Sequence, residues 1–283
     1  MNIEMNRLYK YLSREGFEKT IQNNSLMFSN LNKWRSDIGG DINENYVIAP
    51  LLDSDAFYLF KNVFQLSGLK SEKFFEWLLY LALSSYRMYA SCFVADDNNN
   101  NPRMWEQYAE DGVCLEFDYG IVSYLSEKFG HLKPLSEGLD KPLLSIREHA
   151  INYVTELPDI KTIIEKMFDI DRFTRMAFFT KTDAYSYEKE YRILAKRVDL
   201  FDPLMVQVIS KTKDYDGSYS GLAQFLYSKV GIDMEDTKPL YLSIDSRFVT
   251  GIRVNPNLKS DDKKALLDTF KEWKILADNH SEM

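Results

Sequence analysis

On a β-strand, residues two apart project from the same face about 7 Å from each other. The segment YEKEYRILAKR, residues 187–197, would therefore set Glu188, Glu190 and Arg192 along one face and Tyr191, Ile193 and Ala195 along the other. Two carboxylates placed so closely repel. Such a face is either a solvated edge neutralised by Arg192 and Lys196, or a cleft that uses negative charge because positive charge develops there. Cleavage of the N-glycosidic bond to nicotinamide has that demand, since the ribose becomes oxocarbenium-like in the transition state. One carboxylate holds a ribose hydroxyl and stabilises the cation, and nicotinamide departs neutral without a partner acid. A sugar hydrolase would instead need two carboxylates of distinct pKa.

Other residues could serve the same chemistry or only packing. Met104, Trp105 and Tyr108 share one face of a short helix, which fits a packed face; towards a cleft, Trp105 or Tyr108 would stack on a planar ring. Ser29 and Asn30 end a strand, where they cap a turn or orient ribose and carboxamide groups. Lys10 alternates with Tyr9 and Tyr11 and points away from both; it would pair with a pyrophosphate, as would Arg7 or Arg35. Cys92 and Cys114 lie in apolar runs and read as reduced core thiols, so no cysteine-based metal site can be assembled. His131, His149 and His280 fall outside these motifs, which argues against histidine acid/base chemistry. The tracts Asp96 to Asn101 and Asp214 to Gly217 lack the spacing of a calcium loop, and no phosphate-binding glycine loop or nucleophile elbow occurs.

These residues need a scaffold. RLYKY reads as a strand, Ser13 as the cap of a helix with Phe17 and Ile21 on one face, and LMFS as a second strand. Trp34 and a Gly39-Gly40 turn follow. Phe57, Phe60, Phe64, Phe74, Leu78 and Leu81 recur at helical spacing, predicting a helical insertion over 55–88. Strands are expected at YASCFV and GVCLEFD, flanking the short helix of Trp105. A second, mostly helical insertion is expected over 120–180. Strands at 239–244 and 249–254 and an amphipathic helix over 260–277 complete one domain, 1–283.

The 283 residues are 45% apolar and 14% aromatic, enough for a sizeable core and incompatible with a disordered or disulfide-stapled chain. A net charge of −8 draws the whole molecule towards neither nucleic acid nor anionic lipid, although a local basic groove remains compatible with it. The longest apolar stretch, Trp77 to Leu83, is too short to cross a bilayer, and a cytoplasmic protein is expected.

The pieces LYKY, LMFSN, SCF, MWEQYAEDGVCLEFD and YEKEYRIL, in this order, resemble a bacterial family catalogued as domain of unknown function 2971. The chain departs from that family's pattern at Trp34-Arg35-Ser36-Asp37 and at Asp111-Gly112. The motif order also resembles ADP-ribosyltransferases, including toxins and phage-defence effectors. That resemblance implies an α+β fold with a split, twisted mixed sheet, NAD as cosubstrate, no metal, and an unknown macromolecular acceptor or partner. It assigns Glu190 as catalyst with Glu188 as companion, Tyr9 or Lys10 as the polar residue of the first strand, and Ser29 on the second. Asn30, Trp105, Tyr108, Tyr187 and Arg192 complete the expected nucleotide-contacting set. The alternatives are a catalytically silent binding or sensor module and a nuclease, the latter opposed by the charge and by the lack of metal-site spacing.

Overall fold

One serine converts the first strand into the first helix. Ser13 Oγ accepts the Gly16 amide at 3.2 Å, satisfying a donor the helix end would otherwise leave open. Phe17 and Ile21, one turn apart, are then buried. The computed structural model describes residues 6–31, 88–95, 101–130, 144–158, 170–197 and 238–280, with the isolated positions 58, 62, 162 and 166. The chain runs β1 (Arg7–Leu12), α1 (Arg14–Gln22), β2 (Ser25–Asn30), β3 (Met88–Val94), α2 (Pro102–Tyr108), β4 (Val113–Asp118) and α3 (Gly120–Phe129). It continues through β5 (Leu144–Ala150), β6 (Asn152–Val154), α4 (Ile170–Phe178), β7 (Thr180–Thr182), a 3-10 helix (Asp183–Glu188) and β8 (Glu190–Arg197). After β9 (Leu240–Ser243) and a 3-10 turn (Ser246–Phe248), β10 (Val249–Val254) and α5 (Ser260–His280) close the fold.

Eight strands share one sheet, ordered β10-β4-β1-β3-β2-β9, with β8 beside β3 and β5 beyond β8. The fold is α+β as expected, but among the described residues the large sheet is not mixed: its pairings there are antiparallel, and the parallel pairing described is between β6 and β7. β3 is where the sheet divides. One of its edges pairs with β8 along its whole length, from Met88 opposite Lys196 to Val94 opposite Glu190. The other edge meets β2 at Tyr89 and Ala90 and β1 at Val94, so β1 and β2 diverge along a single strand. Leu8, Phe17, Phe28, Phe93, Phe117, Ile193 and Trp273 belong to the main core. Tyr11, Val94, Met104, Trp105, Ala109 and Cys114 form a smaller one.

Two expectations are corrected. Among the described residues of 120–180, strand interrupts the expected helix, with β5 and β6 between α3 and α4. LSIREHA is drawn into the sheet by the open edge of β8, to which it is registered from Leu144 opposite Arg197 to Ala150 opposite Tyr191. The strand expected from Tyr187 starts instead at Glu190, after a 3-10 helix and Lys189, whose φ of 42° breaks the run. Nor is it half-buried: Glu190, Arg192 and Leu194 on one face are as enclosed as Tyr191, Ile193 and Ala195 on the other. The insertion expected over 55–88 lies almost wholly outside the described residues. So do Trp34, Arg35, the Gly39-Gly40 turn, His131 and the loops 96–100 and 214–217.

Gly112 precedes β4 where the chain crosses the end of β1. A β-carbon there would fall 1.9 Å from the Leu12 carbonyl oxygen and 2.7 Å from the Ser13 carbonyl carbon. Backbone cannot yield as a side chain does, so Gly112→Ala is expected to cost at least the usual range of about 1–3 kcal/mol for overpacking. Urea denaturation reads this as a lowered midpoint; an unchanged midpoint would contradict the β1–β4 crossing.

Candidate functional site

Lys189 brings the two glutamates together by a route that strand periodicity does not provide. Its left-handed backbone sits between the 3-10 helix and β8, held by its amide on the Ser186 carbonyl (3.3 Å) and its carbonyl on the Ala95 amide (3.0 Å). Glu188 ends the helix and Glu190 begins the strand, and both carboxylates meet one ammonium. Lys181 Nζ on β7 lies 2.8 Å from Glu188 Oε2 and 2.8 Å from Glu190 Oε2. Arg192 donates through Nε to Glu190 Oε1 at 2.5 Å, through Nη2 to Glu190 Oε2 at 3.2 Å, and through Nη1 to the Phe178 carbonyl at 2.8 Å. Glu188, Glu190, Arg192 and Lys181 are 4%, 5%, 1% and 7% exposed, so this is an interior ion cluster and not a decorated edge.

Two hydroxyls extend the cluster. Tyr108 Oη donates to Glu188 Oε1 at 2.7 Å while the residue stays 45% exposed, which links the buried carboxylate to the surface. Tyr153 Oη accepts the Glu190 amide at 2.8 Å. On the far side, Lys10 Nζ donates to Ser91 Oγ at 2.8 Å and to the Cys92 carbonyl at 3.0 Å, and it lies over the Phe93 ring at 4.9 Å. It thereby fills the interval between β1 and β2 on the β3 edge, supplying a donor to a carbonyl placed between the two strand pairings.

The environment drives the two carboxyls apart. Burial pushes Glu190 up, but the charges of Arg192 and Lys181 outweigh it and hold this carboxyl far below the ordinary range. Glu188 is raised by burial and by Glu190, and Lys181 offsets only part of that. Burial also lowers Lys10, against the raising influence of Cys92 and Glu190. The Cys92 thiol is pushed well up by burial and by Glu190, so it stays protonated. A fixed carboxylate beside one nearer neutrality is the pairing from which acid and base roles are built.

Of the residues read from sequence, Glu188, Glu190, Arg192 and Tyr108 meet in this cluster, and Lys10 stands beside it across β3. Tyr187 lies at its rim, donating from Oη to Gln107 Oε1 at 2.7 Å, with the Arg103 guanidinium 5.0 Å from its ring centre. Tyr9 is opposite Val94, whose other partner is Glu190, but its ring lies under Arg253 at 4.6 Å. Ser29 and Asn30 are elsewhere: Ser29 pairs with Ala90, four residues along β3 from Val94, or about 13 Å at strand rise. Trp105 is corrected to a core residue, 2% exposed and packed edge-on against Tyr11 at 4.8 Å. It packs because Tyr11, on the β1 face opposite Lys10, needs a cover. Lys181 and Tyr153 carry no signal in the sequence, and Cys92 reads there only as a core thiol. Lys181 lies in no motif, and only the packing of β7 beside β6 and the 3-10 helix carries its ammonium to Glu188 and Glu190.

Residues 104–193 match the family model described as protein of unknown function DUF2971. That segment contains Tyr108, Tyr153, Lys181, Glu188, Glu190 and Arg192, and so nearly the whole cluster. The pieces LYKY, LMFSN and SCF lie outside it. No curated protein and no solved structure matches the chain. Among the described residues no helix is long and apolar enough to cross a membrane, and no three His, Cys, Asp or Glu side chains group as a metal site.

Removing one member of a buried ion pair leaves an uncompensated charge, at about 3–5 kcal/mol. Glu190→Gln strips both Arg192 and Lys181, so it should destabilise by that amount at neutral pH. Arg7→Gln, which breaks the exposed pair with Glu116, should stay within about 1 kcal/mol. The pH dependence has a defined sign. Glu190 is depressed in the fold, so its contribution is present above the ordinary carboxyl range and is lost as pH falls through its lower folded value. Glu188 is raised, so protonating it on the way down from neutrality adds stability. Unfolding free energies against pH should therefore show the gap between wild type and Glu190→Gln closing in strong acid. The acid-side gain should be smaller in Glu188→Gln than in wild type; parallel curves would contradict these assignments.

Proposed function

We propose that the chain is an NAD-consuming enzyme of ADP-ribosyltransferase type, cleaving the nicotinamide glycosidic bond at Glu190. The observation that carries this reading is the buried, inward-facing Glu190, held as a carboxylate by Arg192 and Lys181 on the edge of β3 opposite the one where β1 and β2 diverge. A carboxylate offers about four lone-pair positions. Arg192 takes two and Lys181 one, and the remaining side meets the weakly donating Cys92 thiol. A ribose hydroxyl that displaced the thiol would be held by an oxygen whose charge is fixed, which is the electrostatic stabilisation an oxocarbenium-like transition state uses. In this reading Glu190 supplies the fixed charge and the Tyr108 and Tyr187 rings border the nucleotide, while Lys10 acts from the opposite face of the sheet.

Glu188 takes the second role. Its raised pKa brings it nearer to operating pH, where a carboxylate works best as a base. Tyr108 couples it to the surface, where an acceptor arrives. The acceptor in this reading is water, a nucleotide or a macromolecule, and the motif order that resembles toxins and phage-defence effectors is the ground for reading the enzyme as a cytoplasmic bacterial effector. A second reading is favoured by the same burial: an ion cluster 1–7% exposed is also what a structural core of a silent binding module contains.

Release of nicotinamide from NAD by the purified protein separates the two readings. Glu188→Gln is expected to lower turnover by about 100-fold, within the range of acid/base contributions. Tyr108→Phe, which keeps the exposed ring and removes one hydroxyl, should lower it less. Equal turnover in wild type and folded Glu190→Gln, or neither turnover nor an NAD-dependent rise in melting temperature, rejects the enzymatic reading.

A further inference from the structure

A cavity of about 340 Å³ lies between β5 and α4, lined by Ile146, Arg147, Glu148, His149, Thr174, Arg175 and Phe179. Strand register defines its chemistry. His149 is directly opposite Arg192, and Arg147 is two residues from it, so both stand on the β8 face that carries Arg192 and Glu190. Glu148 alternates to the other face, where it acts on Tyr191. Arg175 comes from the last turn of α4, next to Thr174. Its carbonyl accepts the Phe179 amide at 3.0 Å, and the Phe179 ring lies 5.5 Å from that of His149. Arg147, His149 and Arg175 thus converge with a hydroxyl on one small concavity, while the carboxylate on its lining is turned away. Burial and the facing Arg175 both lower the His149 pKa.

We propose that this cavity is a binding site for a phosphate-bearing small anion. Guanidinium groups grip phosphate oxygens bidentately. Thr174 and His149 on the same lining supply further hydrogen-bonding groups, and a tetrahedral phosphate has more oxygens to engage them than a carboxylate has. The volume admits one phosphate or pyrophosphate with a short attached group. Because His149 neighbours Arg192 across one strand spacing, a ligand held here lies one strand away from the Glu190 cluster, on the same face of the sheet.

The probe is inorganic pyrophosphate, with inorganic phosphate, acetate and sodium chloride of equal ionic strength as further arms, followed by thermal shift and titration calorimetry on the full chain. Saturable pyrophosphate or phosphate binding is expected, weakened at least 10-fold in Arg175→Gln and in His149→Gln. It should be unchanged in Arg247→Gln, whose guanidinium stacks on Phe248 and does not line this cavity. A melting-temperature rise matched by sodium chloride, binding no tighter than acetate, or equal affinity in Arg175→Gln overturns the site. Pyrophosphate binding without any nicotinamide release would keep this site and discard the NAD reading, so the two fail separately.

Discussion

Four charged side chains in the interior of this protein are tolerable only because Lys181 stands between two carboxylates and Arg192 covers what it leaves. Taking a carboxylate or an ammonium out of water is expensive by several kcal/mol per ion, and the deficit is recovered only with close geometry and saturated hydrogen bonding. Here the contacts of Lys181 and Arg192 with the carboxylates lie between 2.5 and 3.2 Å. That requirement constrains the surrounding chain. β7 must lie where Lys181 reaches both acids, Lys189 must adopt its left-handed turn, and the Phe178 carbonyl must end α4 within reach of Arg192.

The same cluster fixes how β3 is used. β3 carries β8 on one edge and two diverging strands on the other, and a divided edge leaves backbone groups between the two pairings. Lys10 supplies a donor to the Cys92 carbonyl there, so the lysine of β1 and the glutamate of β8 become near neighbours through β3. Sheet architecture and site electrostatics are in this respect one arrangement. A cation on one side of β3 and an anion on the other polarise the thiol between them.

The two carboxylates of the cluster are compensated unequally. The pairing that holds Glu190 ionised also occupies most of its lone pairs, whereas Glu188, less well compensated, is joined to the surface by the exposed Tyr108. A rigid charge and an adjustable one therefore sit a single lysine apart. The cavity at β5 lies on the same face of the sheet, which carries the ion cluster beside the smaller apolar core, while the main apolar core lies against the opposite face.

Much of the scaffold was legible in the sequence because it rests on local rules. Ser13 as a cap, alternation in β1 and β4, and the apolar period of α5 depend on neighbours within a few residues. That Glu190 and Arg192 share a face was also legible, since residues two apart on a strand do so whatever packs on it, but whether that face turns to solvent or inward was decided only by packing. Other features needed the tertiary structure. LSIREHA became a strand because β8 had an open edge 50 residues away in sequence, and no local propensity encodes that. Glu188 joined Glu190 through a left-handed lysine and not through strand period. Trp105 went to the core because Tyr11 needed a cover, and Lys181 became the centre of the site because two distant acids required its charge. Sequence order sets which groups exist and how adjacent ones alternate; the pairing of buried charges is decided only when separate elements have removed water from between them.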